Sequence, residues 1–250
     1  MNKLSVVIIT FNEEENIVRC INSVREVADE IIVVDSFSSD KTISIAESLD
    51  AKIIQHKFEG HIQQKNFAKE QASNNWVLSI DADETLSDEL SQSILEAKKN
   101  FGEDGYTMNR LNFYCGKPIK TCGWYPDTKL RLWNRTKGEW MGINPHDKFE
   151  LKTNSTIKHL QGDILHNTYP THESFLSQRE KFATISAQHL KGENILFLFL
   201  KMVLSAPFKF IRTYFFQLGF TDEVVGLAIC FHLSREVFLK YFRAIKFKYS

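Results

Sequence analysis

The first hundred residues alternate short apolar runs with amphipathic stretches. Leu4–Thr10 is a β-branched apolar run, the pattern of a parallel strand buried on both faces. Asn12 with Glu15 three positions on marks a helix start, and Ile17, Cys20, Ile21 and Val24 follow at helical spacing. Residues 31–34 predict a second strand that ends at Asp35. Ser39 or Asp40 then caps a helix carrying Ile43, Ile45, Ala46 and Leu49. Residues 52–55 form a third strand, 61–72 a helix, and 76–80 a fourth strand that stops at Asp81. Ser87 caps a helix through residue 98.

This alternation predicts an α/β domain whose parallel sheet is flanked by helices on both faces. Ligands of such sheets bind beyond the carboxyl ends of the strands. Polar clusters fall at those ends: Thr10-Phe11-Asn12-Glu13, residues 35–40, and Asp81-Ala82-Asp83-Glu84. No GxGxxG follows the first strand, which argues against a dinucleotide fold. Asp81-x-Asp83 at the end of an apolar strand presents two carboxylates to one divalent cation. Oxygen donors of this kind suit Mg²⁺ or Mn²⁺, which share their shell with substrate phosphates.

The segments LSVVIITFNEEENI, ADEIIVVDSFSSDKT, GHIQQKNFA and WVLSIDADE, in this order and spacing, resemble the family 2 inverting glycosyltransferases. CGWYPDTKLRLW, NPHDKFE and LQGDILHNTY resemble the subset that elaborates lipopolysaccharide cores and other envelope glycans. The resemblance implies a glycosyltransferase-A fold, a UDP-sugar donor and metal-assisted transfer of a hexose to a glycan or glycolipid. It implies that Thr10, Asn12 and Glu13 line the nucleoside pocket and that Asp35 contacts the base. Asp81 would hold the ribose or the metal, and Asp83 the metal. Lys65 stands where many relatives have Arg and would reach the diphosphate as a point charge. The plainer reading of Asp35 is a cap on the following loop, and that of Lys65 an exposed helix position.

An inverting transfer is a single displacement, so it needs a base for the acceptor hydroxyl. Asp127, in Gly123-Trp124-Tyr125-Pro126-Asp127, is the candidate, because the resembling family carries its base in an acidic segment at about this point. It departs from the commoner Glu-Asp form. Trp124 and Tyr125 supply flat faces for an acceptor sugar, unless Trp124 is simply a core residue. His146 lies on an expected loop near the acceptor, and His166, at the end of a strand-like run, is a candidate third metal or diphosphate contact.

Composition changes the picture only at the end of the chain. Net charge is zero over 250 residues, so no global field favours nucleic acid. After residue 190, however, nine Lys/Arg face four acids, and eleven of the 20 Phe lie beyond 195. Lys201, Ser205, Lys209 and Arg212 form one polar stripe on an apolar helix that Pro207 should kink, and residues 224–247 form a second helix. No run reaches a membrane-spanning length of about 18 uncharged residues. The expected organisation is a catalytic domain over 1–190 and a helical, amphipathic region over 191–250 lying on an anionic membrane. The alternative is a hairpin buried against the catalytic domain or a second copy of the chain.

No signal-peptide pattern follows Met1, and the four Cys show no CxxC or disulfide-dense spacing. Both point to a cytoplasmic protein, peripheral on the inner face of the membrane, with reduced thiols. Two other enzyme classes compete for the same motif. A haloacid-dehalogenase-type phosphatase would use Asp81 as nucleophile and Asp83 as acid, but its motif normally opens the domain, and here three βα units precede it. A nucleotidyltransferase would carry a glycine-rich basic loop after the first strand, where this chain has Phe11 and Glu13 to Glu15.

Overall fold

The computed structural model describes residues 2–143 and 146–248, without the side chains of Ile143 and His146. It divides into two compact units. The first comprises residues 1–110 and 127–166, the second 111–126 and 167–250. The division does not follow the composition boundary at 190, because the helix before it packs with the tail helices.

In the first unit, β1 (Leu4–Thr10) pairs in parallel with β2 (Glu30–Asp35), and β2 with β3 (Lys52–Gln55). On its other edge β1 pairs in parallel with β4 (Trp76–Asp81). The alternation expected from the sequence is therefore a parallel half-sheet, in the order β3-β2-β1-β4. Side chains leave each strand to alternate faces. Leu4, Val6, Ile8, Leu78 and Ile80 meet Ile17, Cys20, Ile21 and Val24 of α1 (Ile17–Val24) in one core, together with Leu90 and Ile94. Val7, Ile32, Val34 and Val77 meet Ala68 on the opposite face. Near-continuous apolar runs arise because both faces are covered.

The helix after β1 starts later than its sequence suggests. Asn12 adopts positive φ (54°), and its Oδ1 accepts from the Ser39 amide at 2.8 Å, so it ties two loops together. Asn16 occupies the N-cap position. The following helices, α2 (Thr42–Ser48) and α3 (His61–Gln71), lie near their expected places. β5 (Glu84–Leu86) leads into α4 (Asp88–Lys99), capped by Ser87, whose side chain accepts from the Leu90 amide.

Antiparallel strands extend the sheet: β6 (Gly105–Tyr114), β8 (Asp127–Asn134) and β11 (Ile157–Tyr169), while β7 (Lys117–Pro118) pairs with the end of β6. β4 pairs with β8, β8 with β6, and β11 with β5, all antiparallel. A separate hairpin, β9 (Gly138–Ile143) with β10 (His146–Leu151), adds Trp140 and Phe149 to the core beside Trp133. The sheet is thus mixed, a parallel half extended by antiparallel strands. Gly162 in β11 has φ +90°, and a Cβ there would lie 2.3 Å from the Leu90 amide nitrogen, so only glycine lets β11 approach the start of α4.

The second unit is mainly helical. α5 (His172–Gln188) opens with a capping box between Thr171 and Ser174. α6 (Ile195–Ile211) contains Pro207, and α7 (Glu223–Lys246) follows a π-helical turn and a short 3-10 turn. Phe175, Ile229, Cys230 and Ile119 form its core with Tyr114 and Tyr169. Glu180 of α5 pairs with Arg235 and Arg243 of α7, and Arg179 with Glu236. The four cysteines are free thiols.

Candidate active site

The parallel half-sheet creates a cleft where its strand order reverses. β1 sends its chain outward through β2 and β3, then receives β4 on its other edge, and beyond their carboxyl ends the connecting loops diverge. A cavity of about 260 Å³ opens there. Thr10, Phe11 and Glu13 line it from the end of β1, Ser36 from β2, and Asp81, Ala82 and Asp83 from β4. Phe58, His61 and Gln64 line it from the start of α3, Arg110 from β6 and His166 from β11.

The floor is a network of paired charges. Glu84, fully buried, accepts from the Asp81 amide at 2.9 Å, from Arg131 Nη2 at 2.9 Å and from Arg110 Nη1 at 3.3 Å. Arg131, 3% exposed, also reaches Asp81 Oδ2 at 3.3 Å. Lys65 Nζ lies 2.9 Å from Asp147 Oδ2 and 3.4 Å from Asp81 Oδ1, over the Trp140 ring. Burial alone would raise the Asp81 carboxyl, but the charges of Lys65 and Arg131 outweigh it and hold the group far below the usual carboxylate range. Glu13 behaves oppositely. Burial and the nearby charges of Asp83 and Asp40 raise it, against one hydrogen bond from Asn16.

Asp127, at the start of β8, joins the network through Arg110, whose Nε and Nη2 both reach its Oδ2, at 2.9 and 2.8 Å. Lys129 holds Oδ1 at 2.8 Å. Burial raises this carboxyl, yet Arg110 and Lys129 together lower it below its ordinary value. In the unfolded chain an Asp titrates near about 3.9. A group depressed in the fold stabilises it fully above that value, and the contribution drains away as pH falls through the lower folded pKa. Urea unfolding between about pH 5 and pH 2 is expected to show a shallower loss of stability in Asp127→Asn than in the parent; equal slopes would remove this ion pair from the acid response.

The other expected site residues separate into two groups. Thr10, Glu13, Asp81, Asp83 and His166 share the cleft wall. Thr10 Oγ1 is buried without a hydrogen-bond partner among the described residues. Asp35, Asn12 and Lys65 stand off that wall. Asp35 is fully buried, and its two oxygens accept from the amide and hydroxyl of Ser38, so it caps the loop that presents Ser36. Lys65 is no exposed helix position: it is 4% exposed and pairs with Asp81. In the second unit the Trp124 ring packs among Tyr169, Phe175 and Tyr114, at 5.5, 6.0 and 6.5 Å between centroids, and Lys120 lies over the Tyr125 ring. The side chain of His146 lies outside the described residues.

Arg110, Arg131 and Phe58 are residues of the cleft and its floor that sequence reasoning missed, while Phe11 and Glu84 stood in its strand-end clusters without a role of their own. For Arg131 the signal was present. An arginine inside the alternating run of β8 needs a buried counter-charge, and Glu84, following Asp81-x-Asp83, supplies it.

A divalent cation is the group this chemistry implies. Among the described residues no group of three or more His, Cys, Asp or Glu is placed to hold a metal ion. Asp81 Oδ1 is shut from solvent and accepts no hydrogen bond among the described residues. Asp83 Oδ2 faces His166 Nε2 at 3.1 Å. Two carboxylates at the end of one strand are oxygen donors of the kind that share a cation with phosphate oxygens.

Comparison with known proteins fits this geometry. The sequence profile of Glycosyl transferase family 2 matches residues 5–164. An uncharacterized glycosyltransferase of Rickettsia typhi is 31% identical over 90% of this chain and 83% of its own length. The lipopolysaccharide core biosynthesis glycosyltransferase LpsC of Rhizobium meliloti is 27% identical over 95% of this chain and 93% of its own. Among solved structures, glucosyl-3-phosphoglycerate synthase from Mycobacterium tuberculosis, crystallised with Mn²⁺, uridine diphosphate and glucosyl-3-phosphoglycerate, matches 45% of this chain and 44% of its own, at 24% identity and a TM-score of 0.38.

Proposed function

The chain belongs to Glycosyl transferase family 2, and from that premise we propose that it moves a hexose from a UDP-sugar to a saccharide on a lipid-linked envelope glycan, with inversion. The observation that carries this reading is the cleft at the β1–β4 switch point, with Asp81 and Asp83 on one wall and Arg110 on another. Similarity to LpsC, a lipopolysaccharide core enzyme, supports the acceptor class. We place the enzyme at the inner face of the cytoplasmic membrane as a peripheral protein. No helix of the described residues is long and apolar enough to cross a membrane.

Each wall of the cleft has a task suited to its chemistry. Phe11 and Phe58, half-exposed at the rim, offer flat apolar faces to a nucleobase. Thr10 Oγ1 and Ser36 offer hydroxyls to the ribose. Asp83, with Asp81 and His166 beside it, would hold Mg²⁺ or Mn²⁺, which offsets the charge of the diphosphate when bound. Arg110 faces the same space as a fixed cation, pre-oriented by Glu84 and Asp127, and stabilises the charge that develops on the leaving group. Lys65 and Arg131 keep Asp81 ionised and in place.

Asp127 accepts the proton of the attacking hydroxyl. Its lowered pKa keeps it ionised, as a base must be, and Arg110, which lines the cleft, links it to that space. Both Arg110 and Lys129 compete for its lone pairs, so the acceptor has to displace part of that pairing. Asp127→Asn is expected to keep donor affinity and to lose transfer by on the order of 10²–10⁴-fold, measured with hydrolysis of the UDP-sugar as a surrogate. An Asn variant as active as its parent would remove Asp127 as base. The phosphatase reading of the same motif fails on the family and on Asp81, which is ion-paired to Lys65 and Arg131.

A further inference from the structure

The helical unit carries a large exposed apolar surface. Along α6, Leu196, Leu200, Leu204, Phe208 and Ile211 recur at spacings of four, four, four and three, which places them on one face. All are exposed, Leu204 and Phe208 to 65%. The face continues into Phe215 and Phe216, the latter 80% exposed, through the π-helical turn. α7 contributes Val224, Leu227, Phe231, Phe238 and Phe242 at spacings of three, four, seven and four. The two stripes adjoin: Val203, Pro207 and Ile211 of α6 line one open furrow of about 720 Å³ with Phe231 and Phe238 of α7. A contiguous apolar patch of this kind marks an interaction site.

Charge identifies the occupant. Lys201, Lys209 and Arg212 are the only charged residues from 195 to 221, and no acid occurs in that stretch. Along α7, Arg235 and Arg243 pair with Glu180 of α5, and Glu236 pairs with Arg179. Lys201 lies over the Phe197 ring and Lys240 over the Tyr241 ring. Long basic side chains beside aromatic rings suit the headgroup level of a bilayer, with stems in the apolar layer and charges outside. A second copy of the chain would bring like charges together on this face. Anionic headgroups would not.

We propose that the joined faces of α6 and α7 lie in the plane of one leaflet, the apolar stripes among acyl chains and Lys201, Arg212 and Lys240 at anionic headgroups. Two features keep the helices in the plane. α6 is 17 residues long and interrupted by Lys201, Pro207 and Lys209, and α7 carries five charged residues from Arg235 to Lys246. The inference rests on the peripheral placement proposed above and specifies its surface. It is independent of the transfer chemistry.

Flotation of the full chain with vesicles tests it. Binding to phosphatidylcholine vesicles containing roughly one-third phosphatidylglycerol is expected to exceed binding to pure phosphatidylcholine by roughly tenfold or more, and to weaken with salt. Leu204→Glu with Phe208→Glu should abolish binding while the far-ultraviolet circular dichroism stays that of the parent. Because a double variant risks misfolding, Phe216→Asp alone serves as the second probe, and it should weaken binding several-fold. Lys201→Glu with Arg212→Glu should remove the preference for anionic lipid. Equal binding to both vesicle types, unchanged binding in the Glu variants, or a soluble dimer that the Glu variants dissociate without vesicle binding by the parent would overturn the proposal. Donor binding measured on the same preparations should be unaffected, which separates failure of this surface from failure of the transferase reading.

Discussion

Glu84→Ala is expected to destabilise the protein by on the order of 3–5 kcal/mol, read as a lower urea midpoint at unchanged slope. Glu84 is fully buried and accepts from Arg131, from Arg110 and from the Asp81 amide. Removing it leaves Arg131, itself 3% exposed, with Asp81 at 3.3 Å as its remaining carboxylate and Ser79 O at 3.4 Å. A buried guanidinium stripped of its main partner costs far more than the pair contributed when intact. Asp81 provides partial compensation, which argues for the lower end of the range. Glu84→Gln keeps one acceptor oxygen and should cost less. A change below about 1 kcal/mol in Glu84→Ala would mean that the network is solvated and does not hold the cleft together.

Asp83→Ala should have the opposite profile, with little effect on folding and a large one on ligand binding. Asp83 sits on the cleft wall with His166 as its paired side chain, so its loss leaves no buried charge stranded. In Mn²⁺, the affinity for uridine diphosphate is expected to fall by on the order of a hundredfold, about 3 kcal/mol, because the cation loses its more available carboxylate. The carboxylate of Asp81 cannot substitute, since Lys65 and Arg131 already offset its charge. Calorimetry on the purified variant gives the affinity, and urea unfolding gives the stability. Unchanged affinity would take Asp83 out of the metal site.

Most of the parallel half of the fold was legible in the sequence, because each strand is covered on both faces and reads as an apolar run. β1 and β4 fall within one residue of their expected ends, and Ser87 caps the helix assigned to it. Asn12 misled because its side chain serves a loop-to-loop bridge, a tertiary use that local spacing does not reveal. The antiparallel strands β6, β8 and β11 were largely unread. Their polar residues, such as Arg110, Arg131 and His166, face a buried ionic network or the cleft, which blurs a strict alternation.

The candidate site was legible in part for the same reason. Asp81 and Asp83 announce themselves by standing at the end of an apolar strand. Glu84 and Arg131 are 47 residues apart in the chain and meet only through the β4–β8 pairing. Lys65 reads as a diphosphate contact or, more plainly, an exposed helix position, whereas α3 turns it inward to Asp81 and Asp147. The apolar stripes of the last two helices were visible as composition. That they share one open surface depends on their packing.

Calorimetric titration of the full chain with uridine diphosphate, first in Mn²⁺ and then in excess chelator, tests the central claim most directly. Binding in Mn²⁺ that chelator abolishes is the result expected of a UDP-sugar enzyme whose cation is held by Asp81 and Asp83. No binding in either condition, or binding that chelator leaves unchanged, would contradict it.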